Sequence, residues 1–508
     1  MVNSVIDFVM DGERISLGNE NGINYTNASV LNYLRERLNR TGTKEGCAEG
    51  DCGACTIVVV DLKDDDLRYR SLNSCIQFMP SLDGKILYTV ESLRSSEGNL
   101  HPVQSAMVDC HASQCGFCTP GFVMSLFALF KTNPDPTRLE VSDAISGNLC
   151  RCTGYRPILD AGTQMYDYPS TDNNGLNLAA GDSQLSVFEQ QLKETLLSLQ
   201  QAKQSKRFVE GVKTFHSPTT IPELTKLLDA NPEATVLAGG TDVGLWVSKK
   251  HMDLKQVVYL GKVAELEYIN NEGGVIEIGA MTTLEEAFTR LVQHYPQMSD
   301  LYKRFASLPI RNAGTLVGNL ANGSPIGDAA PALIVLNATV VLRKGDAQRE
   351  IPLHKLYLDY MHKDMAPNEF IQAVRIPLPK DNQLLRFYKL TKRFEQDISA
   401  LLAAFHVELK DNKVETIRIC YGGMAATSKR AEHCERILLR QSWNEKTIEA
   451  GMAALEQDYQ PLSDMRASAN YRMLAAKNLL KKFYLETSSS DLIIDVRSEL
   501  RASMQANG

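Results

Sequence analysis

Residues 46–60 read GCAEGDCGACTIVVV, and this stretch decides the fold of the first part of the chain. Cys47, Cys52 and Cys55 follow the spacing C-x4-C-x2-C, and Cys75 comes after nineteen further residues. This is the spacing of a plant-type 2Fe-2S cluster. Four cysteines also suit a structural zinc ion, but zinc sites pair two short knuckles, whereas here one loop supplies three thiolates. The spacing therefore predicts an iron–sulfur cluster on these four cysteines, the first cysteine set.

Glycines and β-branched residues define the surroundings of this loop. Gly46, Gly50 and Gly53 allow the backbone to fold tightly around sulfur, and their N–H groups can donate to thiolate charge. Alternation around a D-G turn predicts a hairpin, helical spacing predicts one helix, and β-branched runs predict two strands. These elements span residues 4–17, 29–38, 56–61 and 85–90. The pattern is typical of a small mixed sheet with one packed helix.

A second cysteine set follows in a helical region. Cys115 and Cys118 are separated by two residues, and Cys150 and Cys152 by one, with thirty-one residues between the pairs. Both pairs precede predicted helices, whose positive N-terminal ends stabilise thiolates. Zinc also fits this spacing. Two one-electron centres side by side form a relay, so the position after a ferredoxin-like loop favours a second 2Fe-2S cluster. Cys110 is predicted to be a buried apolar residue rather than a ligand.

Periodicity and turn signals divide the rest of the chain. Helices are predicted over 103–111, 120–131, 142–148 and 157–166, and the polar stretch 169–206 is predicted to be a linker with little core. Beyond it we predict strands over 234–237, 257–260 and 275–278, then a helix over 284–295. In the last part of the chain, the pattern predicts strands over 387–390, 403–409 and 416–421, then helices over 444–455 and 463–483.

Two glycine-rich segments in this later part are candidate phosphate sites. Residues 236–243 read VLAGGTDV, and residues 313–328 read AGTLVGNLANGSPIGD. Paired glycines let backbone amides approach a pyrophosphate closely. The first segment lacks the G-x-G-x-x-G of a Rossmann site, and such turns often only connect two elements. The second segment is equally compatible with a long turn-rich loop.

Composition narrows the function classes. The 508 residues are 44% apolar, carry a formal charge of −7 and contain no apolar run near the roughly 18 residues of a membrane helix. An acidic chain is not typical of a nucleic-acid binder. The first residues carry no signal-peptide pattern, so we expect a cytoplasmic protein. The sequence shows no H-E-x-x-H, P-loop or Ser/His/Asp pattern, so we expect electron carriers and no site that oxidises an organic substrate.

The cysteine motifs extend into a longer resemblance. Residues 42–59, 72–84, 101–126 and 146–161 resemble the iron–sulfur half of the molybdenum hydroxylases, the family of xanthine dehydrogenase and aldehyde oxidase. The resemblance implies an α+β multidomain chain, in which a β-grasp ferredoxin-like domain precedes a helical domain and each holds one 2Fe-2S cluster. It also implies that Gln114, before Cys115, approaches the pterin of the molybdenum cofactor.

The glycine-rich segments resemble the FAD-binding domain of the same family, which is an α+β domain of the vanillyl-alcohol-oxidase type. The resemblance implies that Val236, Leu237, Ala238, Gly239, Gly240, Thr241, Asp242 and Val243 wrap the pyrophosphate. By the same resemblance, Thr315, Leu316, Val317, Gly318 and Asn319 contact phosphate and ribitol. Asp328 would hold the adenosine side, Phe305 would lie by the isoalloxazine, and Ile371 and Lys389 would be further flavin contacts. Lys389 equally suits a solvated surface lysine.

The family resemblance implies an order of domains and of electron flow. The predicted parts are a ferredoxin-like domain (1–92), a helical 2Fe-2S domain (93–168), a linker (169–206), an FAD domain (207–384) and a C-terminal α/β lobe (385–508). We expect a partner molybdopterin subunit to oxidise hypoxanthine and xanthine to urate, in a dimer of heterodimers. Electrons would pass through both clusters to FAD and then to NAD+. Since 508 residues leave no room for molybdopterin domains, we expect the partner to be a second polypeptide.

Two alternatives stay open on the sequence. A sister molybdenum hydroxylase, acting on an aldehyde, nicotinate or carbon monoxide, would share this electron-transfer half. A zinc-stabilised interaction scaffold with a vestigial flavin fold would share the cysteines without the redox function.

Overall fold

The computed structural model describes residues 4–18, 25–95, 97–168, 186–200, 204–394 and 396–488. The chain divides into two compact units, each described by itself. The first contains residues 1–265 and 307–314, and the second contains residues 266–306 and 315–508. The predicted FAD domain is therefore shared between both units. None of the helices in the described ranges is long and apolar enough to cross a membrane.

The first unit opens with a five-stranded mixed sheet in the order β2-β1-β5-β3-β4. Its strands are β1 (Ile6–Met10), β2 (Glu13–Leu17), β3 (Thr56–Lys63), β4 (Asp66–Asn73) and β5 (Ile86–Tyr88). β1 runs parallel to β5, and the other pairs are antiparallel. Helix α1 (Val30–Asn32) continues as a π-helical turn, Tyr33–Arg37. The ferredoxin-like prediction is confirmed, and β4 is a strand that the sequence analysis did not assign.

The second cluster region contributes four helices, and the second of them packs against this sheet. They are α2 (Pro102–Asp109), α3 (Thr119–Thr132), α4 (Arg138–Ile145) and α5 (Arg156–Gln164). α3 packs against β3 and β4, and its Phe122 and Phe127 are fully buried. The predicted helix 142–148 instead begins at Arg138, because Thr137 and Glu140 form a capping box that starts it earlier.

Part of the predicted linker is a packed helix. α6 (Val187–Gln200) buries Leu192 and Leu196 in the same core as α3, and Glu189 accepts a hydrogen bond from buried Lys131 at 2.9 Å. The expectation that this stretch carries little core is corrected here. Leucines four residues apart form one apolar face, which the surrounding Gln, Lys and Ser residues obscure in the sequence. The rest of the predicted linker, apart from 186 and 204–206, lies outside the described residues.

A second sheet of the first unit has the order β6-β7-β9-β8, in which β7, β9 and β8 are parallel. Its strands are β6 (Lys206–Glu210), β7 (Lys213–Ser217), β8 (Thr235–Leu237) and β9 (Gln256–Tyr259), with helices α7 (Ile221–Ala230) and α8 (Val243–Ser248). β8 and α8 enclose the first glycine-rich segment.

The second unit contains a five-stranded antiparallel sheet in the order β10-β11-β16-β12-β13 and a small hairpin, β14-β15. The strands are β10 (Ile269–Glu272), β11 (Val275–Gly279), β12 (Thr339–Lys344), β13 (Ala347–Pro352), β14 (Tyr357–Asp359), β15 (His362–Lys363) and β16 (Phe370–Pro377). The helices are α9 (Leu284–His294), α10 (Ser299–Lys303), α11 (Leu308–Ala313, in the first unit), α12 (Leu316–Asn322), α13 (Ala329–Val335) and α14 (Leu353–Leu356).

The C-terminal lobe is an antiparallel sheet covered by helices. Its elements are β17 (Gln383–Leu390), β18 (Leu401–Lys410), β19 (Lys413–Gly422), β20 (Lys429–Arg430), α15 (Glu432–Leu438), α16 (Glu445–Asp458) and α17 (Ala469–Ser488). Phe405 stacks on Phe483 at 5.0 Å in its core. The predicted helix 463–483 begins only at Ala469, because the Asp464 carboxylate accepts the N–H groups of Arg466 and Ala467 and holds a turn. The chain is α+β throughout, as predicted.

The packing of α6 is tested by a pair of neighbouring leucines. Leu196 is fully buried, whereas Leu197 is 39% exposed. We expect Leu196→Ala to lower the free energy of unfolding of the first unit by about 2–5 kcal/mol, because it leaves a cavity. Leu197→Ala should change it by less than about 1 kcal/mol. Denaturant unfolding followed by circular dichroism measures the free energy of unfolding of both variants. Equal changes in the two variants would show that α6 does not contribute to the core.

Candidate functional site

Strand pairing brings the first cysteine set together. Cys55 directly precedes β3 and Cys75 follows β4, and the pairing of Thr56 with Asn73 places the two cysteines at the same end of the ladder. Cys55 and Cys75 are buried, and their thiols are within hydrogen-bonding contact. The Cys47 thiol contacts those of Cys52 and Cys75. The four predicted ligands are therefore one contiguous group of sulfur atoms.

Backbone N–H groups point at this group. Those of Glu49 and Cys52 lie 3.4 Å from the Cys47 sulfur. Gly50 and Gly53 have φ of +77° and +68°, conformations that favour glycine. A Cβ on Gly46 would stand 2.8 Å from the Cys52 sulfur. The loop thus uses its glycines for turns and for close approach to sulfur.

The thiols of the first set differ in acidity. The hydrogen bond from Cys52 lowers the pKa of Cys47, and the bond from Cys75 lowers that of Cys55. The same contacts raise the pKa values of Cys52 and Cys75, because each proton is held between two sulfurs. All four would be thiolates with a cluster bound, because the thiolate is the form that binds iron.

The second cysteine set lies at the entrances of two helices. Cys118 is the N-cap of α3, and the loop with Cys150 and Cys152 leads into α5. The Cys115 thiol contacts that of Cys152, and Cys118 contacts Cys150. Cys115 and Cys152 are exposed, in contrast to the buried Cys55 and Cys75. The structure therefore brings all four predicted ligands together at the protein surface.

Local hydrogen bonds set the acidity of this second set. The Phe117 N–H lowers the pKa of Cys115, whereas burial raises the pKa of Cys118 to about 12. Burial also opposes ionisation of Cys150, but the Thr153 hydroxyl, 3.1 Å from its sulfur, and nearby N–H groups leave its pKa lowered. Tyr155 adopts a φ of 70°, and its hydroxyl accepts the Cys150 N–H at 2.9 Å.

The donor sets fit 2Fe-2S clusters. In the first set the sulfur contacts run from Cys52 through Cys47 and Cys75 to Cys55, and in the second set they join Cys115 with Cys152 and Cys118 with Cys150. Four thiolates on two irons, two to each, are the ligands of such a cluster. Nearby N–H donors and glycine-rich backbone suit its negative charge.

Two further predictions concern residues beside the second set. Gln114, predicted to approach the pterin, is exposed, and so is the nearby Phe117. Cys110 is half-exposed, with its sulfur 3.2 Å from Gln164 Oε1, so the expectation that it is buried is wrong. It is the C-cap residue of α2 and packs, partly buried, at the edge of the hydrophobic core.

In the structure, the two glycines of the first glycine-rich segment serve backbone packing and a turn. Residues 236–243 form the end of β8 and the turn into α8. A Cβ on Gly239 would stand 1.9 Å from the Ala313 carbonyl oxygen, so this glycine is required by backbone packing. Gly240 has a φ of +79°. The flavin role of all eight residues stays a prediction: Val236, Leu237, Ala238, Gly239, Gly240, Thr241, Asp242 and Val243.

The second unit carries the other predicted flavin residues. The Thr315 side chain caps α12 by accepting the Gly318 N–H at 2.9 Å. Leu316 and Val317 are buried, whereas Gly318 and Asn319 are half-buried. Phe305 is buried against Phe288, with ring centroids 4.9 Å apart, and Ile371 is buried in β16. The apolar members of the set are thus parts of the core of this unit.

Asp328 and Lys389 form a buried pair that the sequence did not reveal. The Lys389 ammonium donates to Asp328 Oδ2 at 2.6 Å, and the Ser399 hydroxyl donates to Oδ1 at 2.6 Å. All three residues are buried. The alternative that Lys389 is a solvated surface lysine is therefore wrong. The pair fixes β17 against the start of α13 and satisfies both carboxylate oxygens.

Four family models match the chain in succession. They are described as the 2Fe-2S iron–sulfur cluster binding domain (residues 19–79), the [2Fe-2S] binding domain (89–163), the FAD binding domain in molybdopterin dehydrogenase (207–379) and the CO dehydrogenase flavoprotein C-terminal domain (386–487). The chain carries the iron–sulfur and FAD domains of the molybdenum hydroxylase family. The contiguous sulfur groups described above fall within the first two matches.

Individual relatives agree with this family. Xanthine dehydrogenase of Emericella nidulans is 32% identical over 99% of this chain and 40% of its own length. Aldehyde oxidase of Homo sapiens is 29% identical over 90% of this chain and 38% of its own. The chain thus spans about two fifths of the length of these molybdenum hydroxylases. A solved carbon monoxide dehydrogenase from Hydrogenophaga pseudoflava is 26% identical, with a TM-score of 0.50 over 53% of this chain and 94% of its own.

The close approach at Gly46 gives a test of the first cysteine set. We expect Gly46→Ala to displace the Cys52 thiolate and to lower the iron content of the purified protein by about half, because one of two clusters is lost. Iron analysis and the electron paramagnetic resonance (EPR) spectrum of the reduced protein measure this. The second cluster is the internal control and should keep its signal. Full iron content with both signals unchanged would contradict the assignment of Cys52.

Proposed function

We propose that this chain is the iron–sulfur and FAD subunit of a cytoplasmic xanthine dehydrogenase. A partner subunit with molybdopterin would oxidise hypoxanthine to xanthine and xanthine to urate, each step releasing two electrons. The present chain would pass these electrons through two 2Fe-2S clusters and FAD to NAD+. We further propose a dimer of heterodimers and the domain boundaries 1–92, 93–168, 169–206, 207–384 and 385–508.

One observation supports the direction of electron flow. Cys115 and Cys152 of the second set are exposed, whereas Cys55 and Cys75 of the first set are buried. A cluster at the surface suits the entry of electrons from a partner, and a buried cluster suits an internal step. Exposed Gln114 and Phe117 beside the second set provide a polar and an apolar contact for that partner.

The residues of this chain have three tasks in the proposed function. The cysteines hold the clusters, the N–H donors around them adjust the reduction potential, and the buried packing keeps water away from the first set. The clusters supply one-electron transfer, and FAD supplies the two-electron transfer to NAD+. The predicted flavin residues lie in both units, from 236–243 in the first to Lys389 in the second.

The relatives favour a second candidate as well. The C-terminal family match and the solved relative carry the name of carbon monoxide dehydrogenase. A sister molybdenum hydroxylase, acting on carbon monoxide, an aldehyde or nicotinate, would therefore use the same electron-transfer chain. The candidates differ in the substrate that the partner oxidises, so assays of the co-purified complex with each substrate separate them.

The relay is tested with two cysteine variants of the complex. We expect Cys115→Ser to abolish electron transfer from xanthine to NAD+, by about a hundredfold or more, because it removes a ligand of the entry cluster. Oxidation of NADH by an artificial acceptor at FAD should persist in that variant. Cys110→Ser, five residues upstream and half-exposed, is the matched control and should retain xanthine turnover.

Three outcomes would reject parts of this proposal. Normal xanthine turnover in Cys115→Ser would reject the relay. Turnover of another substrate but not xanthine would select the sister enzyme. A colourless protein with stoichiometric zinc, in place of flavin and 2Fe-2S absorption bands, would support the interaction scaffold.

A further inference from the structure

The two cysteine loops are joined by one backbone hydrogen bond. The Leu149 N–H donates to the Cys52 carbonyl oxygen at 3.0 Å. Cys52 is a predicted ligand of the first cluster, and Leu149 directly precedes Cys150, a predicted ligand of the second. The path from Cys52 to Cys150 therefore consists of this hydrogen bond to Leu149 and the peptide linkage from Leu149 to Cys150.

A buried asparagine holds this junction from the other side. Asn148 is 2% exposed, and its amide nitrogen donates to the Gly53 carbonyl at 3.0 Å and to Thr56 Oγ1 at 3.2 Å. Its carbonyl oxygen accepts the Ser125 hydroxyl at 2.6 Å. Both N–H donors of the carboxamide and one acceptor position are therefore engaged. The partners lie in the first cysteine loop, at the start of β3 and in α3, which begins after Cys118.

Glycines allow the backbone segments around Asn148 to pack very closely. A Cβ on Gly121 would stand 2.2 Å from the Gly53 carbonyl oxygen, and a Cβ on Gly53 would stand 2.2 Å from the Gly147 carbonyl oxygen. Real Cβ atoms essentially never come this close, so the backbones here are nearer than any side chain permits. The junction therefore has little freedom to lengthen or shorten.

We infer that Asn148 is a positioning residue that sets the separation of the two 2Fe-2S clusters and so the rate of electron transfer between them. The inference rests on the proposed function, since it requires both clusters. Asparagine suits this place because it offers two donors and an acceptor without charge. Aspartate lacks the donors, and alanine leaves the Ser125 hydroxyl and the Gly53 carbonyl without their Asn148 contact.

The test uses the EPR spectrum of the full chain with both clusters reduced. Two paramagnetic clusters at a fixed distance split each other's signals, and this dipolar splitting falls with the cube of the distance. We expect Asn148→Ala to keep its full iron content while the splitting narrows. Electron transfer weakens as the distance between two redox centres grows, so we expect inter-cluster transfer, followed by freeze-quench, to slow severalfold.

A second asparagine provides the matched control. Asn73 is 1% exposed and pairs with Thr56 across the strands, but its amide nitrogen lies 3.9 Å from the Cys55 sulfur and faces the first cluster rather than bridging the two cysteine loops. Asn73→Ala should shift the potential of the first cluster and leave the splitting unchanged. Gly121→Ala, which must push α3 away from Gly53, should narrow the splitting as Asn148→Ala does.

The outcomes separate this inference from the proposed function. If Asn148→Ala keeps both clusters with unchanged splitting and transfer rate, the positioning role is wrong. If Asn148→Ala loses a cluster, the test passes to Ser125→Ala, which removes only the hydroxyl contact to Asn148. Unchanged dipolar splitting and an unchanged transfer rate in Ser125→Ala would then show that the positioning role is wrong. If the unaltered chain shows no pair of 2Fe-2S signals, the proposed function itself fails.

Discussion

The architecture of the first unit depends on the ladder between β3 and β4. Its end pair, Thr56 with Asn73, places Cys55 and Cys75 side by side, and the loop with Cys47 and Cys52 must then close over them. Closing that loop requires left-handed glycines and a position where sulfur excludes any side chain. The same strands provide the surface on which α3 packs. Strand register, cluster loop and helix position are therefore one linked set of constraints.

A buried ion pair constrains the packing of the second unit in a similar way. Lys389, Asp328 and Ser399 sit together without access to water, and removing one member would leave the others with uncompensated polarity. Breaking a buried ion pair of this kind costs about 3–5 kcal/mol. The group therefore fixes where β17 meets α13, independently of any ligand.

Local signals in the sequence were sufficient for the cluster loops and most secondary structure. The D-G hairpin, the C-x4-C-x2-C loop and the start of α3 are set by neighbouring residues and agree with the prediction, whereas α4 and α17 begin at other residues than predicted. Features that depend on distant partners could not be predicted from local sequence. The burial of α6 depends on a surface supplied by β3, β4 and α3, and the pairing of Lys389 depends on a carboxylate 61 residues away. The close approach of Gly239 to the Ala313 carbonyl likewise depends on a residue that is remote in sequence.

The junction at Asn148 has a consequence for how such proteins diversify. Its amide nitrogen binds residues 95 and 92 positions earlier, and its oxygen binds a residue 23 positions earlier. A recombination point placed between the ferredoxin-like and helical domains would separate these partners and leave their buried polar groups mismatched. The two iron–sulfur domains are therefore expected to be inherited as a single block, and new combinations with other catalytic parts would arise by joining at the edges of that block.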